Sequence, residues 1–213
     1  MEVLTLPADL TQAGSPAALI ADIAARGRVV DALVNNAGYG LPGSYDDTAW
    51  ADQQAFLQVL LVSVCGLTHL VLPGMRDRGF GRIVNVASLA GLIPGMPGHT
   101  LYGPTKAFLV RFSQSLHMEN LDTGVHVSAL CPGFTRSEFH DVNGTRDQTD
   151  RVPAWMWQTA QAVAEAGLRA VEANKAVHVS GAPNKLVAAI CKVVPDSVIL
   201  AWVARSARRY RGL

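Results

Sequence analysis

Apolar residues along this chain fall into short unbroken runs that alternate with longer stretches of helical period. Val3 to Leu6 is a short strand-like run. Ser15-Pro16 opens a helix, with Ser15 as N-cap, Pro16 at the first helical position, and Leu19, Ile20 and Ile23 on its apolar face. Val29 to Val34 reads as a strand. Thr48 to about Met75 reads as a long helix, because Trp50, Phe56, Leu57, Leu60, Leu61, Val64 and Leu67 recur at helical spacing. Gly81 punctuates the chain and Arg82 to Val86 is a buried-type strand. Leu101 to Leu121 is a second long helix, ended by Gly124, and Val125 to Leu130 is another strand. Trp155 to Ala173 is helical, Ala176 to Val179 is a short strand, and the chain is helical again from Asn184.

Strands that alternate with helices predict βαβ units, hence an α/β, doubly wound, mostly parallel sheet covered on both faces. No repeat, low-complexity segment or linker interrupts the pattern, so one domain over residues 1–213 is expected. In such sheets ligands bind beyond the carboxyl ends of the strands. The segments to search are therefore Asp9-Leu10, Asn35 to Gly38, Ala87-Ser88 and Pro132 to Ser137.

Composition removes several function classes. Lys and Arg number 18 against 17 Asp and Glu, a balance that gives no support for a nucleic-acid binder. Hydrophobic residues make up 49% and charged ones 16%, which excludes a disordered chain. Cys65, Cys131 and Cys191 lie far apart with no CxxC, a pattern that fits a reducing cytoplasm better than a disulfide scaffold. Six His form no HExxH and no Cys/His cluster, so no metal site is assigned. Met1 to Leu10 carries neither a basic region nor a long apolar run of the targeting type. The stretch Leu186 to Ala204 is the most apolar late segment, but Lys192, Pro195 and Asp196 break it short of a membrane span. Arg205, Arg208, Arg209 and Arg211 follow it. A packed final helix with a solvated tail is the expected arrangement, and contact with a membrane surface is the alternative.

The sharpest chemical feature is Tyr102-Gly-Pro-Thr-Lys106 at the start of a helix. Four residues of α-helix turn through roughly 400°, so positions i and i+4 share a face. An ammonium beside a phenol favours the phenolate and lowers the phenol pKa from about 10. Tyr102 then becomes a usable proton donor or acceptor near neutral pH. A surface Tyr and Lys one turn apart is the competing explanation. Ser88 ends the strand Arg82 to Val86, where its hydroxyl could bond a substrate carbonyl oxygen; a cap or loop serine is the plainer alternative. Asn35-Asn36-Ala37-Gly38 suits a tight turn whose amides pin neighbouring strands, and Pro132-Gly133 plays a similar part after the last long strand.

Taken in order, NNAG, a strand ending in Ser, YxxxK and PG at these spacings resemble the short-chain dehydrogenase/reductase family, from Leu4 to about Val179. The tail Gly181-Ala-Pro-Asn-Lys-Leu186 is similar to a loosely defined subgroup that includes ketoacyl and steroid reductases. The resemblance implies a Rossmann-type oxidoreductase, dependent on NAD or NADP, that interconverts a carbonyl and an alcohol by hydride transfer. It further implies a small hydrophobic substrate and a homo-oligomer. Tyr102 would be the acid/base, Lys106 would lower its pKa and hold the nicotinamide ribose, and Ser88 would orient the carbonyl. Asn36, Ala37 and Gly38 would line the adenosine and ribose side, with Asp9 on the adenine amine and Leu10 beside it. Pro132, Gly133 and Thr135 would flank the nicotinamide, with Ser137 near its carboxamide. Ser63, in Leu61-Val-Ser-Val-Cys65, stands where the family usually has an Asn that helps a proton-relay water. Residues 134–160 would form a substrate lid with Trp155, Met156 and Trp157 as its apolar face, although helix packing explains those three equally well.

The chain also departs from the family. The family opens with a strand, a TGxxxGxG loop, a helix and a second strand whose end selects NAD or NADP. None of these is in this sequence, so the expected sheet is truncated at the N-terminus, with its first two strands missing and the cofactor choice unreadable. With a family strand order of 3-2-1-4-5-6-7, Val3 to Leu6 would either pair directly with the strand near Leu33 or lie loose. A misplaced start and a real truncation both explain the pattern; the first is preferred, because Met1 falls where no domain boundary should be. Gly38-Tyr-Gly40-Leu-Pro-Gly43 fits GxGxxG, but Pro42 and the polar Ser44 to Asp47 delay the helix, so it is rejected as a pyrophosphate loop. The loop from Ser88 to Tyr102 is one residue longer than is common, with Gly91, Pro94, Gly95, Pro97 and Gly98 to absorb it. Two other functions are weighed. One is a non-catalytic remnant that keeps dimer contacts through the two long helices. The other is a serine hydrolase using Ser88 and Lys106, against which Val-Ala-Ser-Leu-Ala-Gly91 is not a GxSxG elbow.

Overall fold

The computed structural model describes residues 2–95, 97–144 and 152–210. In chain order the elements begin with α1 (Ser15–Ala25), β1 (Ala32–Asn35), a long helix α2 (Trp50–Asp77) and β2 (Gly81–Val86). A 3₁₀ turn (Leu89–Leu92) leads to α3 (Tyr102–Glu119), β3 (Val125–Cys131), β4 (Thr135–Arg136) and the single turn α4 (Phe139–Val142). β5 (Gln158–Thr159), α5 (Ala160–Glu172), β6 (Val177–Val179), α6 (Ala182–Val193) and α7 (Asp196–Tyr210) complete it. The main sheet has the order β1-β2-β3-β6 and every pairing is parallel, with Asn35 opposite Asn85, Ile83 opposite Val127 and Ala129 opposite Val177.

Side chains alternate across a strand, and the two faces of this sheet are covered accordingly. On one face Ile83, Val125 and Val127 pack with Val71, Leu72 and Met75 of α2 and Leu116 of α3, with Ile20 of α1 at the margin. On the other, Val84 and Leu130 pack with Val163 and Val171 of α5. Full burial of an aliphatic side chain of this size contributes about 1.5–3 kcal/mol over leaving it exposed. Helix α2 is long and apolar enough, by length and composition, to cross a bilayer, yet half of its apolar window is buried inside the fold, as in a core helix.

Several expectations are corrected. Val3 to Leu6 is not a strand: residues 2–9 have no regular structure, and Val3 is 77% exposed. Pro7 supplies no N–H to a ladder, and among the described residues β1 is hydrogen-bonded to β2 alone. Gly14, not Ser15, is the N-cap of α1, and the Ser15 hydroxyl instead donates to the Asp9 carbonyl. The helix expected from Trp155 begins only at Ala160, where the Thr159 hydroxyl accepts from the Ala162 N–H at 3.2 Å. The late helix is two helices, broken at Val194-Pro195, and the second is not packed as expected: Val198 and Trp202 remain exposed. Arg211 lies outside the described residues.

Candidate active site

The carboxyl ends of β1 and β2 are tied to each other and to α3 by a buried polar network. Asn35 Nδ2 donates to Asn85 Oδ1 at 2.8 Å, and Asn85 Nδ2 donates to Ser113 Oγ on α3 at 2.9 Å. Ser113 in turn donates to the Leu109 carbonyl at 2.7 Å. Asn35 and Asn85 are both buried, so each bond replaces a lost contact with water. Only the first amide of the Asn35-Asn36 pair pins a neighbouring strand; Asn36 is exposed.

At the end of β2 the chain turns through Ser88, whose Oγ caps the 3₁₀ turn by accepting from the Ala90 N–H at 3.1 Å. The Ser88 hydroxyl also hydrogen-bonds the Tyr102 phenol. Tyr102 is the first residue of α3 and Lys106 lies one turn on, with its Nζ 5.6 Å from the Tyr102 ring centroid. Lys106 is 6% exposed and donates from Nζ to the Val86 carbonyl at 2.7 Å. Burial disfavours its charged form and brings its pKa down to about 8, with Cys131 pulling weakly the other way. The expected lowering of the Tyr102 pKa is corrected. Burial pushes the phenol above its ordinary value, and the Ser88 hydrogen bond pulls it part of the way back.

The other sequence-predicted residues are more dispersed. Leu10, Asn36, Ala37 and Ser63 line one groove of about 520 Å³ beside β1. Tyr102 lines a separate cavity of about 220 Å³ with Ala90, Ile93 and His99. Asp9 is exposed, and its carboxylate accepts from the Thr11 N–H at 3.0 Å and the Thr11 hydroxyl at 2.7 Å, which hold it below the usual carboxylate range. Ser63 is fully buried and follows a π-helical turn at Gln58–Val62. Its hydroxyl is shared between the carbonyls of Gln58 at 2.9 Å and Val59 at 2.7 Å. Gly38 rests on the Leu60 side chain. The Pro132 carbonyl accepts from the Leu89 N–H at 2.8 Å, which ties the PG loop to the Ser88 turn. The Thr135 hydroxyl donates to the Gly133 carbonyl at 3.1 Å, and Ser137 Oγ accepts from the Phe139 N–H. The GxGxxG segment opens no helix, since α2 starts only at Trp50. Of the expected lid, residues 145–151 lie outside the described residues. Trp155, Met156 and Trp157 do not form one apolar face: Trp155 is 68% exposed, whereas Trp157 packs on Phe134 at 5.5 Å.

Four residues not singled out by sequence reasoning join the site. Cys131 is fully buried at the end of β3 beside Lys106, and burial pushes its thiol up to about 12. His99 and Phe139 place their rings 6.5 and 5.9 Å from Tyr102. Asn184 donates to the Ser180 carbonyl at 2.8 Å, and its Oδ1 has no partner among the described residues. Gly133 lies so close to Asn184 that a Cβ there would meet the amide at 2.4 Å, which explains the Gly of the PG pair. Cys131 is readable as the strand end before Pro132; nothing local in the sequence signals Asn184.

Comparison with known proteins accords with this geometry. The short chain dehydrogenase family matches residues 1–148. The ketoacyl reductase HetN of Nostoc sp. is 31% identical over 204 residues, 92% of this chain and 69% of that one. A short-chain dehydrogenase structure from Streptomyces avermitilis is 26% identical with a TM-score of 0.73, covering 99% of this chain and 80% of that one. The closed form of serine dehydrogenase complexed with NADP+ is 27% identical with a TM-score of 0.70, covering 81% and 73%. Against several other curated relatives the chain spans about half of their length. With its parallel sheet and its matched residues together, the chain belongs to the short chain dehydrogenase family.

Proposed function

We propose that this chain carries the centre of an oxidoreductase that interconverts a carbonyl and an alcohol with NAD or NADP. The observation that supports it is the convergence of Ser88, Tyr102 and Lys106 at the end of β2. Tyr102 gives its phenolic proton to the substrate oxygen in reduction and accepts one from the alcohol in oxidation. Ser88 donates to the same oxygen and fixes its position. Lys106 has three N–H donors, one of which is used on Val86, so two remain for a ribose hydroxyl and for stabilising a phenolate. When bound beside these groups, the nicotinamide carries the hydride.

The residues fit the cofactor in part. The groove with Asn36, Ala37 and Leu10 offers a largely apolar wall with amide groups at its rim, and the PG loop is braced against Asn184. The TGxxxGxG loop that would cradle the pyrophosphate is not in these 213 residues. Ala90, Ile93 and Phe139 around Tyr102 support a small hydrophobic substrate. The pairing of β4 with β5 closes the base of residues 134–160 and supports their reading as a lid. Exposed Phe108, Met118 and Leu121 on and just after α3 support a homo-oligomer through the long helices. Three scattered free thiols support a reducing, cytoplasmic compartment.

The test is a fluorescence titration of the chain with NADPH and with NADH. Saturable binding at micromolar ligand is the expected result, and the tighter of the two names the cofactor. A folded chain, judged by circular dichroism, that binds neither would overturn the reading for this polypeptide.

A further inference from the structure

We propose that the outer faces of α6 and α7 dock this chain on the surface of an anionic lipid bilayer. Helix α6 buries one side and exposes an apolar stripe on the other. Asn184 and Ala188 are buried against the fold. The opposite side carries Leu186 at 64%, Ile190 at 47% and Val193 at 80% exposure, with Ala182 and Ala189 exposed at the same helical spacing. Lys185 and Lys192 flank this stripe, both exposed and seven residues apart. Beyond Val194-Pro195, α7 exposes Val198 and Trp202, one turn apart on one face, before Arg205. A tryptophan among aliphatic side chains at the foot of a cationic segment suits the depth of lipid headgroups.

Charge decides what covers this face. Residues 182–213 hold Lys185, Lys192, Arg205, Arg208, Arg209 and Arg211 against Asp196 alone. The whole chain is +1, so this segment is +5 and the preceding 181 residues carry −4. A second copy placed on the same face would set cations against cations. An anionic membrane would meet the cationic end, while the acidic body stays on the water side. The apolar part of α7 stops at Arg205, far short of the ~20 residues needed to span a bilayer of ~30 Å, so it lies in the interface plane.

Vesicle co-sedimentation of the 213-residue chain tests this. Most of the chain is expected to pellet at low salt with vesicles of phosphatidylcholine and 30 mol% phosphatidylglycerol, and little with phosphatidylcholine alone. The double variant L186E/I190E, at exposed positions, should lower partitioning at least tenfold with an unchanged circular dichroism spectrum. The charge variant K185Q/K192Q/R205Q should do the same and abolish the lipid dependence. Absence of pelleting with anionic vesicles would overturn the proposal, as would pelleting that neither variant alters. A dimer that L186E/I190E converts to a monomer, without lipid binding by the parent, would also overturn it and assign the face to a second copy.

Discussion

Replacement of Tyr102 by Phe is expected to lower kcat on the order of 10²–10⁴-fold, the usual contribution of a positioned acid or base. The change removes one oxygen and leaves the ring where it meets His99 and Phe139, so the fold and NADPH binding should be retained. NADPH oxidation against apolar ketones reads the first effect and the fluorescence titration reads the second. A variant that keeps its kcat would sink the assigned role. The same assay has a pH signature. Burial holds the Tyr102 phenol protonated through neutral pH, so the proton needed for reduction is in place there. Lys106 is an ammonium below about 8 and neutral above it. Reduction is therefore expected to fall as pH rises through about 8, and a profile flat from pH 7 to 9 would exclude Lys106 as an electrostatic partner.

The second large effect lies at Gly91. A Cβ there would stand 2.5 Å from the Lys106 carbonyl carbon and 2.7 Å from both the Lys106 oxygen and the Ala107 nitrogen. All three are helix backbone and cannot give way locally. In Gly91→Ala the 3₁₀ turn must lift from α3 and carry Ser88 away from Tyr102, because Ser88 is bonded to that turn through Ala90. Overpacking of this kind costs about 1–3 kcal/mol. In a chain of this size each kcal/mol lowers Tm by about 2–4 °C. Misplacement of a catalytic group by ~1 Å costs on the order of 10²-fold in rate. Calorimetry and kcat should fall together; an unchanged kcat with a lowered Tm would separate the turn from the chemistry.

These two positions also show what could be read from sequence. Helical spacing alone puts Tyr102 and Lys106 on one face, and Ser88 stands out because it follows a buried-type strand. Strands β2 and β3 were legible because buried parallel strands are mostly apolar on both faces, with few polar positions such as Asn85 and Ser128. Gly91 was read only as slack in a long loop, since its role depends on a helix backbone fifteen residues away. The direction of the Tyr102 shift differs from expectation because helical spacing gives proximity to Lys106 but not burial, and burial of the phenol raises its pKa. Val3 to Leu6 failed as a strand because local propensity supplies no partner edge. The Asn184 contact with Gly133 was invisible, being a tertiary approach between residues 51 positions apart.

The parallel sheet has one more consequence, for the newborn chain. No strand of it can find its partner through a hairpin. Ala32 must wait 50 residues for Arg82, Gly81 waits 44 for Val125, and Ala129 waits 48 for Val177. At synthesis rates of roughly 5–20 residues per second, each edge stays open for roughly 2–10 s while the ribosome works. The apolar runs that make β2 and β3 easy to recognise are therefore the segments most in need of shelter by a chaperone during translation.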